Sequence, residues 1–378
     1  MREIYLDNSA TTVTCAEAAK TALKMMTSVY GNPSSLHSKG FEASAELERA
    51  RLTCAEILGC ESEEVYFTSG GTESNNTAIF GAAKALRRRG NKIVTTALEH
   101  SSVIEAVREL EKEGFEAVYL EPDKNGRVSP EAIKNAVDEK TVLVSIMYVN
   151  NEIGSVQPVD TVRRIIDRAK SPALFHVDAV QAFGKIPVKP KKLGIDLLSA
   201  SSHKIHGPKG AGILYVRKGA RILPLHYGGE QEKKIRPGTE PVSLICAMAE
   251  AIRQLPDMNG ELHQIRELNE YLREKLSSIE NVHINSHREC LPYIINFSVE
   301  GIRSETMLHH LARHGIYVSS GSACAKGKKS HVLAALGLSQ SFADSALRVS
   351  FSRYNTADDI DELVKEINNA NITLARSR

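Results

Sequence analysis

The chain has 378 residues, with 48 Lys and Arg against 46 Asp and Glu and a formal charge of +2, so it shows no overall electrostatic footprint for nucleic acid or a membrane surface. It is long enough for two domains, or for one large domain with an appendage, and can bury a large core. The opening MREIYLDNSATT lacks an apolar h-region and no apolar run approaches a membrane span, so a cytoplasmic protein with small-molecule or protein partners is expected.

In chain order, IYLDNSATT reads as a short strand ending in a polar turn, followed by a helix from about 16 to 30 with Ala, Leu and Met at helical spacing. GNPSSLH, residues 31–37, is rich in turn formers, and a second helix is predicted over 40–58 with Ala43, Leu47, Ala50 and Ile57 on one side. Strand and helix then alternate. VYFTSGGTESNN is a strand, a glycine turn and a helix start, and the helix over 73–88 leads to a strand at 92–96. Helices over 101–113, 130–137 and 159–170 lead in turn to strands at 117–120, 142–149 and 174–178, and further strands are expected near 197–200 and 213–216. This pattern predicts an α/β fold with a mainly parallel seven-stranded sheet covered on both faces.

After Gly238 the texture changes. Helices at about 242–255 and 258–279 precede a strand at 293–299, a helix at 304–313, a strand at 346–351 and a helix at 357–369, which suggests a small α+β domain. The expected division is a large domain over 15–250 and a small one formed by 1–14 and 251–378. The basic clusters at Arg87–Arg89 and Lys189–Lys192 read as solvated faces.

Ligands in such sheets sit off the carboxyl ends of the strands, and the polar residues collect there. In SASSHKIHGPKG, residues 199–210, Lys204 follows a strand among hydroxyls with glycines ahead, which places it to be held and to form a Schiff base with a carbonyl cofactor. SGGT at 69–72 links strand to helix, so its N–H groups and the Thr72 hydroxyl can meet a phosphate, although a plain tight turn accounts for it equally well. HVDAVQ at 176–181 puts Asp178 at a strand end, where it can pair a pyridinium nitrogen or cap a helix, with Gln181 within reach. His176, Asp178, His203 and His206 also admit a metal reading, as an iron triad or a zinc pair, but this leaves the phosphate-type turns unexplained. His100 opens a helix; it is either a structural residue or one that stacks on a ring and moves protons.

Six cysteines, Cys15, Cys54, Cys60, Cys246, Cys290 and Cys324, lie far apart without paired metal spacing. A large cytoplasmic chain rarely needs disulfides, so most are expected to be buried and inert. Cys324 differs, because SSGSACAKGKK surrounds it with small residues and follows it with Lys326, Lys328 and Lys329, cations that favour thiolate and a nucleophilic role.

Taken together, YLDNSATT, GNPSSLH, FTSGGTESNN, EHSSV, VSIMYVNNEIGSVQP, HVDAVQAFGK, SSHKIHGPKG, RPGTEP, SSGSAC and LRVSFSRYNT resemble the cysteine desulfurases of the NifS/IscS type, over residues 4 to about 355. The resemblance implies a class V aminotransferase-like, fold-type I pyridoxal-phosphate transferase, normally a homodimer. It implies Lys204 as the Schiff-base lysine, Asp178 at the pyridine nitrogen, Gln181 at the ring hydroxyl and His100 stacked on the ring. Gly71, Thr72, Ser201 and His203 are implied to hold the phosphate, with Thr239 reaching in from the other subunit and Asn151 lining the pocket. Arg348 and Asn32 are the implied substrate contacts, and Cys324 the sulfur acceptor. The implied reaction converts L-cysteine to L-alanine and a protein persulfide, with selenocysteine lyase, another C–S lyase or an aminotransferase as alternatives on the same fold. Glu230 and Pro237 in GGEQEKKIRPGT, a segment after Cys324 about two residues shorter than usual, and an end near 378 depart from the family pattern. The implied acceptor is an iron–sulfur scaffold or a tRNA-thiolation enzyme.

Overall fold

The computed structural model describes residues 2–320 and 330–374. Its centre is a seven-stranded sheet built from β1 (Val65–Thr68), β2 (Lys92–Thr96), β3 (Glu116–Leu120), β4 (Thr141–Met147), β5 (Leu174–Asp178), β6 (Leu197–Ser201) and β7 (Gly212–Val216). The spatial order is β1-β7-β6-β5-β4-β2-β3, and only β7 runs against the rest. Every residue of β4 to β7 is buried, the consequence of covering both faces of a parallel sheet, and it explains why these strands are mostly apolar without a strict in–out alternation.

The helices are α1 (Ala16–Thr27), α2 (Ser38–Leu58), α3 (Gly71–Leu86), α4 (Ser101–Lys112), α5 (Pro130–Ala136), α6 (Val159–Arg168), α7 (Val242–Arg253), α8 (Met258–Ser277), α9 (Ser304–Arg313) and α10 (Ala357–Thr373). Helix α3 lies on one face, its Ala78, Ile79, Ala82 and Ala83 packed with Ile93, Leu143 and Leu214 of the sheet. The chain moves from β2 outward to β3 and then returns to place β4 on the other side of β2. That reversal opens a crevice at the carboxyl ends of β2 and β4.

A second, antiparallel sheet has the order β10-β11-β9-β8, from β8 (Val282–Ile284), β9 (Ile294–Val299), β10 (Ser319–Ser320) and β11 (Ala346–Ser350). The pattern after Gly238 predicts only β9 and β11. Strands of two or three residues carry too little period-2 signal to be seen, and the same holds for the short helices Pro190–Leu193, His331–Ala335 and Gln340–Asp344. The opening strand Ile4–Tyr5 pairs in parallel with Ile316–Tyr317, and the chain then runs to the large sheet, where Thr12 N–H donates to His203 O at 2.9 Å and Cys15 N–H to His206 O at 2.8 Å.

The turn that begins α3 is pressed against the first residue of β7, Gly212. A Cβ on Gly212 would meet Gly70 Cα at 2.5 Å and Ala200 O at 2.9 Å, both backbone atoms with little freedom to move. Gly212→Ala should therefore lower stability by about 1–3 kcal/mol through overpacking, read as an earlier denaturant midpoint. An unchanged midpoint would show that the turn tolerates a methyl group.

Candidate active site

Strand β6 ends at Ser201, and a single 3-10 turn, Ser202–Lys204, carries the lysine to the end of the sheet. Lys204 Nζ donates to Ser9 O and, at 2.8 Å, to Ala10 O, both on the N-terminal segment. Burial pushes the ammonium down to about 7, helped by the nearby cations Lys185 and Arg348 and opposed by Asp7 and Asp178. The result is an amine that loses its proton near neutrality while still held by two carbonyls.

Asp178 closes β5 and is buried. Its Oδ2 accepts from Asn75 Nδ2 at 2.7 Å and its Oδ1 from Val180 N–H at 2.9 Å. Asn75 Nδ2 also donates to Ser102 Oγ at 2.9 Å, and that hydroxyl lies 2.8 Å from His100 Nδ1. His100 is the N-cap of α4 and accepts from Ser102 N–H, so capping fixes its ring. Burial lowers its pKa, with Asp178 opposing, and the imidazole is neutral. Gln181 Nε2 donates to Ser9 O at 3.0 Å and its Oε1 accepts from Lys185 Nζ at 3.1 Å.

The start of α3 faces Ser201 and His203. Gly70 sits at φ 149, which side-chain-bearing residues rarely adopt, and a Cβ there would lie 3.6 Å from Ser201 Oγ. Ser201 Oγ is buried with no hydrogen-bond partner. His203, driven down to about 4 by burial and by Lys204, stays neutral beside Thr11 Oγ1 at 3.2 Å. An orphaned hydroxyl next to the positive end of a sixteen-residue helix is a place for an anion.

These groups line one cleft of about 1290 Å³, which brings together Gly71, Thr72, His100, Asn151, Asp178, Gln181, Ser201, His203, Lys204 and Arg348. Arg348, on β11, donates to Asp7 Oδ1 at 2.6 Å and to Asn151 O at 2.9 Å, and its buried Nε has no partner. Asn32 and Thr239 are exposed and do not line the cleft. Cys324 lies outside the described residues. Of the other thiols, burial pushes those of Cys54, Cys60 and Cys246 up to about 12 and that of Cys290 to about 11, so these four are poor nucleophiles.

The metal reading fails on geometry. His176 is fully buried with Nδ1 2.8 Å from Ser145 Oγ and Nε2 3.0 Å from Ser199 Oγ, and His206 Nδ1 is engaged by Val13 O at 2.9 Å.

Four site residues escape sequence reasoning. Lys185, fully enclosed and lowered to about 8, supplies part of the field on Lys204. Asp7 holds Arg348. Glu99, raised to about 8 by burial, accepts from Thr96 Oγ1 at 2.9 Å and Met147 N–H at 2.8 Å, so no second full negative charge stands behind Asp178 at neutral pH. Glu152 accepts from Ser330 Oγ at 2.5 Å. All four fall inside or beside quoted motifs (YLDNSATT, EHSSV, VNNEIG, QAFGK), but sequence shows neither burial nor which charges meet.

This is an α/β sheet with a lysine and an aspartate at its carboxyl edge, and the aminotransferase class-V family model matches residues 4–363. A NifS/IcsS protein homolog of Lactobacillus delbrueckii subsp. bulgaricus is 45% identical over 96% of this chain and 95% of that protein. The cysteine desulfurase IscS of Methanosarcina thermophila is 42% identical over 97% of this chain and 91% of its own length. Among solved structures, a NifS-like protein superposes with a TM-score of 0.94 at 38% identity, covering 99% of this chain and all of that one. The chain belongs to the class-V aminotransferase family, among its cysteine desulfurases of the NifS/IscS type.

The lowered pKa of Lys204 has a direct readout. In competitive labelling with an amine-acylating reagent, modification of Lys204 in cofactor-free protein should rise through about pH 7, while exposed lysines need pH near 10. Labelling of Lys204 in step with the surface lysines would show that its amine is not desolvated.

Proposed function

We infer that this chain is a pyridoxal-phosphate-dependent cysteine desulfurase, acting on L-cysteine to give L-alanine and a persulfide on Cys324. The observation that carries the reading is the buried, readily neutralised Lys204 amine facing Asp178 and His100 across one cleft. The residues fit the cofactor. The unpartnered Ser201 Oγ at the start of α3 suits a phosphate, a buried carboxylate at Asp178 suits a protonated ring nitrogen, and neutral His100 suits a ring face.

Lys204 would hold the cofactor's aldehyde carbon, Gly71, Thr72, Ser201 and His203 its phosphate, and Gln181 and Asn151 its ring edge. When bound, pyridoxal phosphate supplies an electron-accepting ring for charge left at the substrate Cα. Lys204, displaced by substrate, is placed to take the Cα proton, since an amine titrating near 7 works as a general base at neutral pH. Arg348 clamps the substrate carboxylate, its spare Nε and its exchange of Asp7 for substrate making this a swap of one carboxylate for another. The Cys324 thiolate bonds to the substrate sulfur as the carbon–sulfur bond breaks; the electron pair of that bond stays with the carbon skeleton, which takes up a proton at Cβ, regains one at Cα and leaves as alanine.

The reading includes a homodimer. Val13, Leu23, Met26, Tyr30, Leu36, Phe41 and Leu52 are all more than half exposed and all lie in residues 13–52, a concentration of apolar surface that suits a partner subunit. Thr239 and Asn32, exposed in the single chain, are then expected at the neighbouring subunit's cleft. The proposed domain division is 15–250 and 1–14 with 251–378; the strands of the seven-stranded sheet fall in the first and those of the four-stranded sheet in the second. The five described cysteines are free, as a cytoplasmic location favours, and no described helix is long and apolar enough to cross a membrane. The persulfide sulfur passes to an acceptor protein in iron–sulfur cluster assembly or tRNA thiolation.

Three variants test the assignment. Lys204→Ala should abolish the visible absorption of the cofactor-loaded protein. Cys324→Ala should keep the colour but form little alanine from cysteine. Arg348→Ala should lower kcat/KM roughly a hundredfold through loss of a charge-assisted clamp. A colourless wild type after cofactor addition sinks the cofactor assignment, and full alanine production by Cys324→Ala moves the chemistry to a selenocysteine lyase or other C–S lyase.

A further inference from the structure

Helix α9 carries His310, with His314 four residues on as its C-cap, and α10 packs against it and sets Glu366 between them. Glu366 is only 5% exposed. Its Oε2 lies 3.3 Å from His310 Nε2 and 3.4 Å from His314 Nδ1. Neither Glu366 Oε2 nor His310 Nε2 makes a hydrogen bond. Two buried polar atoms thus face each other without alignment, an arrangement that costs desolvation and returns little unless something bridges them. The other carboxylate oxygen, Oε1, accepts from Asn369 Nδ2 at 3.1 Å. This bond orients the carboxylate as outer-shell partners orient metal ligands.

We propose that His310, His314 and Glu366 form a binding site for a divalent transition metal of the zinc class, which braces α9 against α10. Zinc bonds of about 2.0–2.1 Å set the edges of a tetrahedron at about 3.3–3.4 Å, and both contacts to Glu366 Oε2 already have that length. All the ligand atoms lie within 4.8 Å of one another, so ion binding requires the two imidazoles to draw together. His314 Nδ1 must exchange its 2.9 Å bond to His310 O for the metal. Its side chain is 42% exposed. Two imidazoles and one carboxylate select zinc, cobalt or nickel over calcium or magnesium, and the solvent side leaves the fourth position to water. The rival is a histidine protonated against Glu366; that pair employs one ring and leaves the second aimed at the same oxygen.

The site is separate from the cleft and its test needs no turnover. The intact protein as purified, with its thiols blocked by iodoacetamide, is dialysed to equilibrium against Zn²⁺ and, separately, Co²⁺. Wild type should hold one equivalent and show the ligand-field absorption of four-coordinate cobalt. His314→Ala, a change at a half-exposed side chain, and Glu366→Gln should each weaken binding by roughly tenfold or more and remove that absorption. Equal metal content and affinity in wild type and both variants, or no bound metal in wild type, would overturn the site and leave the proton-linked pair.

Discussion

The site depends on one burial. Lys204 Nζ has been taken out of water, set beside two other cations, and given two backbone carbonyls as its hydrogen-bond partners. In water the same ammonium stays charged well beyond neutral pH; here desolvation and the Lys185 and Arg348 charges disfavour the protonated form. Carbonyls accept from the amine without supplying the full negative charge that would restore its basicity. Asp7 and Asp178 stand close enough to oppose the shift but not to cancel it.

Arg348 and the positive end of α3 give the cleft two local places for anions that the whole-chain balance of +2 does not reveal. They match the substrate carboxylate and the phosphate of the proposed reaction. The two anions are separated by geometry: the α3 terminus and Ser201 lie at one end, and Arg348 on β11 approaches from the smaller sheet. Glu99, protonated at neutral pH by its burial, keeps the wall behind Asp178 from adding a second carboxylate charge.

Much of this was legible in the sequence. The buried strands β4, β5 and β6 are mostly apolar, and each ends in or is soon followed by polar residues that the sheet brings to one edge: Asn150 and Asn151, Asp178, and Ser201 to Lys204. A parallel sheet makes this convergence nearly automatic, because all its carboxyl ends point the same way. What stayed hidden were groups whose role depends on burial. Lys185 and Glu99 look like ordinary surface charges in a string of letters, and only enclosure gives them shifted titration. Asp7 could not be paired with Arg348 across 341 positions by any local rule. Asn32 and Thr239 belong to motifs that match the family, yet a single chain leaves them outside its own cleft.

The N-terminal segment has a consequence for how the protein is made. Residues 4–15 pair with Ile316–Tyr317, Ser350, His203 and His206, and their carbonyls at Ser9 and Ala10 complete the environment of Lys204. During synthesis this stretch leaves the ribosome well before its partners at 316–317 and 350. The large sheet can assemble behind it as the chain lengthens, but the segment cannot finish docking until residue 350 has been made. The lysine pocket is therefore completed only after every strand of the large sheet has been synthesised.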